Sequence, residues 1–148
     1  MRPYPDRRSA HLRLGQRGER LAASLLRELG LEVLLRNYSC PAGEIDIVAR
    51  DGEVLCFVEV KTRRRVGRAR PAAAVGTAKR KRIARTARRY LHDLSTPDLL
   101  HRFDIVEIVL DGWSVRDARY WPRAFTPGDK AHGGLSFPSL VDESGLLP

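Results

Sequence analysis

Asp46, Glu59 and Lys61 are the residues of this 148-residue chain whose types and spacing could do chemistry. Glu44–Arg50 alternates, with Ile45, Ile47 and Ala49 pointing one way and Glu44, Asp46 and Val48 the other. Asp51-Gly52 reads as a two-residue hairpin turn, and Val54–Lys61 as the returning strand. That turn pairs Arg50 with Glu53, so Glu44 faces Glu59 and Asp46 faces Phe57. Asp46, Glu59 and Lys61 therefore emerge on one sheet face, with Glu44 beside them. Clustered carboxylates repel and raise each other's proton affinity, an arrangement that a cation relieves. Oxygen ligands of this kind suit Mg²⁺ or Mn²⁺, which share their remaining positions with water and phosphate. Such an ion orients a phosphodiester and acidifies a bound water, with Lys61 placed to hold that water or a phosphate oxygen.

A half-exposed hairpin also alternates apolar and charged residues, with Lys61 merely pairing to Glu59 or Glu44 in water. Two features argue against an idle surface. Phe57 shares the charged face, and Val54, Cys56, Val58 and Val60 make the other face wholly apolar. The strand reads as central and covered on both sides.

The elements that must position these residues follow from periodicity. Residues 1–12 are polar, basic and proline-bearing, and read as a flexible arm. From Gly18 a helix pattern runs through Leu21, Ala22, Leu25, Leu26 and Leu29 to a stop at Gly30. Leu31–Leu35 reads as a short strand, followed by an Asn-Tyr-Ser-Cys-Pro-Ala-Gly loop. Arg63–Arg70 reads as a basic loop ended by Pro71. A second helix is expected over Thr77–Asp93, with Ile83, Ala87, Tyr90, Leu91 and Leu94 on one face and Arg80, Lys81, Arg82, Arg85, Arg88 and Arg89 on the others. Phe103–Leu110 is a β-branched strand, Asp111-Gly112 repeats the turn signal, and Trp113–Trp121 is its partner. Asp104, at the start of that strand, reads as structural, bonding to backbone or to an arginine. Residues 122–148 read as an irregular tail, with the globular domain ending near Phe125. The order αβββαββ implies an α/β fold, a sandwich around a mixed central sheet.

Charge is concentrated rather than spread. Thirteen of the 27 Lys and Arg residues lie between Lys61 and His92, a span without a single acid. The rest of the chain carries 14 basic against 18 acidic residues, a net of −4. A solvated helix face is the plain alternative, yet the absence of interspersed acid favours a polyanion such as nucleic acid. Cys40 and Cys56 lack zinc-ligand spacing, as do His11, His92, His101 and His132. No signal-peptide pattern or membrane-length apolar run is present, and a cytoplasmic protein is expected.

Gly43-Glu44-Ile45-Asp46 followed by Phe57-Val58-Glu59-Val60-Lys61-Thr62-Arg63 resembles the PD-(D/E)xK nuclease signature. Gly15-Gln16-Arg17-Gly18-Glu19, Arg36-Asn37-Tyr38, Lys79, Arg102-Phe103-Asp104 and Ala124-Phe125 extend the likeness to the YraN-like family of small bacterial proteins. The resemblance covers roughly Leu14 to Phe125. It implies a restriction-endonuclease-like fold, related to archaeal-type Holliday junction resolvases, and Mg²⁺-dependent cleavage of DNA. In one departure, Ile45 stands where a proline often precedes the metal-binding aspartate. The likeness also assigns a first-helix glutamate, here Glu19, to the metal site beside Asp46, Glu59 and Glu44; the alternative is a dipole-favouring acid at a helix start.

Lys79, four residues before Ile83, shares the inward face and is a candidate to position phosphate, or else a snorkelling lysine. Arg63, Arg64 and Arg65, with Arg80 and Arg82, are candidate backbone contacts. Three readings stand: a metal-dependent DNA endonuclease, a non-catalytic nucleic-acid binder on the same scaffold, and a basic interaction protein. Symmetric cleavage of a branched substrate would require two sites, hence a homodimer.

Overall fold

The computed structural model describes residues 7–65 and 75–126. Its elements run α1 (Arg7–Glu28), β1 (Glu32–Cys40), β2 (Gly43–Asp51), β3 (Val54–Arg64), α2 (Thr77–Asp93), β4 (His101–Asp111) and β5 (Ser114–Phe125). The order is the one that periodicity predicts. The strands form one five-stranded sheet in the sequence β1-β2-β3-β4-β5. Every pairing is antiparallel except β3 with β4, which is parallel because α2 carries the chain back across the sheet.

Alternation along the strands divides the core in two. Ala22, Leu25 and Leu26 of α1 pack with Ile47, Ala49, Cys56, Val58, Val106 and Ile108 on one face. On the other, Ile83, Ala84, Ala87 and Leu91 of α2 pack with Val48, Leu55, Phe57, Phe103, Ile105 and Trp121. The sheet is thus covered on both sides, and β3 is its middle strand. Gly43 lets β2 start hard against α2, since a Cβ there would lie 3.0 Å from the Thr86 hydroxyl.

Four boundaries differ from expectation. Residues 8–12, expected as a flexible arm, are helical, because Ser9, Ala10 and Leu12 to Leu14 sustain the helix and Gly15 and Gly18 only weaken it. The helix ends as foreseen at Gly30 (φ 90°), where the Gly30 and Leu31 N–H groups bond to the Arg27 and Leu26 carbonyls. Strand β1 does not stop at Leu35 but continues to Cys40 through Asn37, whose left-handed φ of 55° keeps the strand paired with β2. Strand β5 runs on past Pro122 to Phe125, helped by a shift in register near Phe103. Arg63 and Arg64 likewise belong to β3, not to a loop. The expected loop beyond Arg65 and tail beyond Thr126 lie outside the described residues.

Candidate active site

The β2–β3 turn is not Asp51-Gly52. Asp51 pairs with Val54, leaving Gly52 (φ 59°) and Glu53 as the turn residues. Every partner shifts by two: Arg50 faces Leu55, not Glu53, and Val48 faces Phe57. A two-residue shift preserves which face each side chain takes, so the expected grouping of Asp46 with Glu59 survives an incorrect register.

Backbone pairing between these strands runs from Asp51 only as far as Ile47↔Val58. One step further the Val60 N–H donates to the Asp46 carboxylate at 2.8 Å. A side chain has replaced a backbone acceptor there, and the half-buried carboxylate sits in the gap between β2 and β3. The bend is visible in the core: Ile47 packs toward α1, but Ile45, which strict alternation sends the same way, packs toward α2.

Four charged groups meet at this gap. Glu59, 6% exposed, is ion-paired with Lys79 from the first turn of α2, and Lys61 Nζ lies 4.0 Å from Glu59 Oε1. Glu59 also touches Asp46 electrostatically and through a shared hydrogen bond. Burial above all, then the Glu59 charge, pushes the Asp46 carboxyl up to about 7; the Val60 N–H opposes the shift and Glu19 adds to it. Glu19 acts from α1, on the opposite side of the sheet from Lys79. The packing of Gly18 against Thr62 of β3 brings that end of α1 to the gap.

The remaining expected site residues are placed differently. Glu44 is exposed and pairs in register with Ser39, away from the Asp46–Glu59 pair. Arg80 is buried, donates its Nε–H to the Val75 carbonyl at 2.6 Å and lies over the Phe125 ring. It therefore braces the entry to α2 instead of standing on its exposed side, as its spacing of three, four and seven from Ile83, Ala84 and Ala87 could have revealed. Arg82 is exposed. Arg63 pairs with Glu107 at 3.5 Å, Arg64 is exposed, and Arg65 lies 4.0 Å from Asp111.

Glu107 was not anticipated. It lies in β4 directly in register with Lys61, is 3% exposed, and its only sequence signal is an acid inside the apolar run Ile105–Leu110. At the other end of β4, Asp104 is completely buried and accepts bonds from Arg102, Tyr120 and the Arg123 N–H. Backbone and arginine both hold it, in the structural role expected of it.

Among the described residues, no three His, Cys, Asp or Glu side chains form a metal-ligating group. Two adjoining carboxylates fit an ion that takes one or two protein carboxylates and completes its shell with water and phosphate. Asp46 and Glu59 are that pair.

The fold and the site together define a small α/β protein, its mixed sheet covered on both faces, with an acidic pair and two lysines at a gap between neighbouring strands. The chain belongs to the family described as Uncharacterised protein family UPF0102, whose model matches residues 18–108. That span takes in Glu19, Asp46, Glu59, Lys61 and Lys79 and ends inside β4. A UPF0102 protein of Chlorobaculum tepidum is 43% identical over 122 residues, covering 79% of this chain and 95% of the relative. One from Nocardia farcinica is 46% identical over 97 residues (66% of this chain, 76% of the relative), and one from Streptomyces griseus 58% over 78 residues (53% and 66%). No helix among the described residues is long and apolar enough to cross a membrane.

Proposed function

We propose that the protein is a metal-dependent endonuclease of the restriction-endonuclease-like class, acting on DNA and suited to branched or repair intermediates. The observation that carries this reading is the half-buried Asp46 carboxyl held beside buried Glu59, with Lys61 and Lys79 on that glutamate. Folding such a pair without a cation is unfavourable, and sites that break stability rules are where function concentrates.

Asp46 and Glu59 would hold Mg²⁺ or Mn²⁺, with Glu19 as the nearest further acid. The bound ion supplies charge neutralisation at the phosphate and a more acidic water. The protein's own groups do the rest. Lys61 orients a water or a phosphate oxygen, and Lys79 keeps Glu59 ionised and contacts the incoming phosphate. The Val60 N–H fixes the Asp46 carboxylate so that it does not rotate away. Burial of Glu59 between two covered faces excludes competing water.

A second reading, a binder that keeps the nuclease scaffold without the chemistry, is favoured by one observation. Lys79 is bonded to Glu59 directly and thereby already neutralises one of the two acids. The test incubates linear and branched DNA with Mg²⁺ or Mn²⁺ and the wild type, Asp46→Ala or Lys61→Ala. Cleavage lost in both variants supports the site; cleavage unchanged in both overturns it. Wild-type binding with no cutting and no metal affinity by calorimetry supports the binder.

A further inference from the structure

We propose that α2 is a duplex-docking helix whose exposed basic side enters the major groove of DNA, with its two outer rows each on one of the bordering phosphate backbones. The helix has 17 residues, and one arc of it is buried: Arg80, Ile83, Ala84, Thr86, Ala87 and Leu91. Lys81, Arg82, Arg85, Arg88 and Arg89 are all exposed.

Residues seven apart on a helix lie nearly above one another, about 20° out of line and roughly 10 Å along the axis. Lys81 and Arg88 therefore form one row, Arg82 and Arg89 a second, and Arg85 stands on the ridge between them. A single polyanionic strand would be served by one row. Two rows flanking a ridge match a groove with a backbone on either side.

Charge complementarity selects the occupant. Among the described residues Lys81, Arg82, Arg85 and Arg88 make no ion pair, while Arg89 alone of the five is paired, to exposed Asp93. The first turn of α2 also contains no acid to offset the positive end of its dipole. A groove of about 650 Å³, lined by Thr77, Ala78, Lys81, Arg82 and Arg85, marks the more open half of this side. A helix with side chains is about 10–12 Å across and B-form DNA offers a major groove about 12 Å wide. A-form RNA presents a major groove too deep and narrow for side chains to read, so DNA is the better fit.

The docking helix and the acidic gap are connected. Lys79 lies at the edge of the buried arc next to the row of Arg82, and it bonds to Glu59. The backbone held by Arg82 and Arg89 is then the one led toward Asp46 and Glu59. The inference rests on the nucleic-acid reading above but not on hydrolysis, and binding in EDTA separates the two.

The experiment measures anisotropy of labelled duplex DNA, single-stranded DNA and duplex RNA with the full chain in EDTA over a range of salt. The wild type is compared with Lys81→Gln/Arg85→Gln/Arg88→Gln and with Arg27→Gln on α1 as control. Exposed positions leave folding intact, which thermal melting verifies. The expected result is preference for duplex DNA, weakened in the triple variant, with the log–log salt slope smaller by about 2.7 for three lost phosphate contacts. Arg27→Gln should match the wild type, and DNA carrying glucosyl groups in its major groove should bind poorly. An unchanged slope in the triple variant overturns the proposal. So does equal affinity for single strands or duplex RNA, or full affinity for the glucosylated duplex. A protein that binds as expected yet cuts nothing when Mg²⁺ is restored overturns only the nuclease reading.

Discussion

Gly18 of α1 lies against Thr62 of β3 so closely that a Cβ on it would fall 1.6 Å from the Thr62 hydroxyl oxygen and 2.6 Å from the Thr62 Cβ. Rotating the hydroxyl cannot relieve contact with Cβ, so helix or strand has to move. Helix propensity alone favours Gly18→Ala by about 1 kcal/mol. Overpacking opposes it by about 1–3 kcal/mol and should win. Urea unfolding is expected to show net destabilisation, partly recovered in Gly18→Ala/Thr62→Ala. A Gly18→Ala variant as stable as the wild type would show that this contact is not close in solution.

Asp46→Asn should stabilise the metal-free protein at neutral pH. The folded state holds the Asp46 proton more tightly than the unfolded chain, with the value moved from 3.8 to about 7. No penalty exists below about pH 4; it grows as pH rises through the window and is complete above 7. Asparagine keeps an acceptor for the Val60 N–H and carries no charge. In EDTA the Tm of the variant should exceed that of the wild type at pH 8, and the difference should vanish near pH 4.

Mg²⁺ or Mn²⁺ should reverse that order. A ligand that binds only the folded state adds RT ln(1 + [L]/Kd), about 2.7 kcal/mol at one hundred times Kd. Melting curves with increasing metal should rise for the wild type and stay flat for Asp46→Asn. A parallel rise in both would remove Asp46 from the ion's ligands.

Of the two cysteines, only Cys40 should react with a thiol reagent in the native protein. Cys56 is buried in the sheet, and burial with the nearby Asp104 charge pushes its thiol up to about 12. One equivalent should label quickly and the second only on unfolding. Rapid labelling of both sulfurs would contradict the packing of β3 beneath α1.

Asp104→Ala should be among the most damaging single changes. It leaves Arg102 without its bidentate partner and the Arg123 N–H without an acceptor. Breaking a buried pair typically costs about 3–5 kcal/mol. Tyr120→Phe, which removes one donor to the same carboxylate, should cost about 1–3 kcal/mol. The two losses should not add, because both act on one carboxylate.

The acidic pair is legible in the sequence because a strand has a period of two. Placing the turn at Asp51-Gly52 names the wrong partners but the right faces, an error of an even number of residues. Helix α2 is legible to its ends because its apolar period is uninterrupted. What escapes depends on tertiary context. Asn37 looks like a loop residue until β2 is present to hold it in a strand. Arg80 looks like a surface charge until Val75 and Phe125 close over it. Glu107 is hidden in an apolar run whose burial is supplied by neighbours far away in sequence. Glu44 has the right parity, but the bend between Ile45 and Ile47 takes it elsewhere.

The parallel seam between β3 and β4 has a kinetic consequence. The other three strand pairs join sequence neighbours across tight turns, whereas this one joins Leu55 to His101 and Arg64 to Leu110. Closing so long a loop must precede any gain from the ladder, so the seam is expected to form late. Until then the middle strand is an open edge, lined by Cys56, Phe57 and Val58. A nascent chain paused before β4 emerges would carry that edge unprotected, and it is the form of the protein most prone to self-associate.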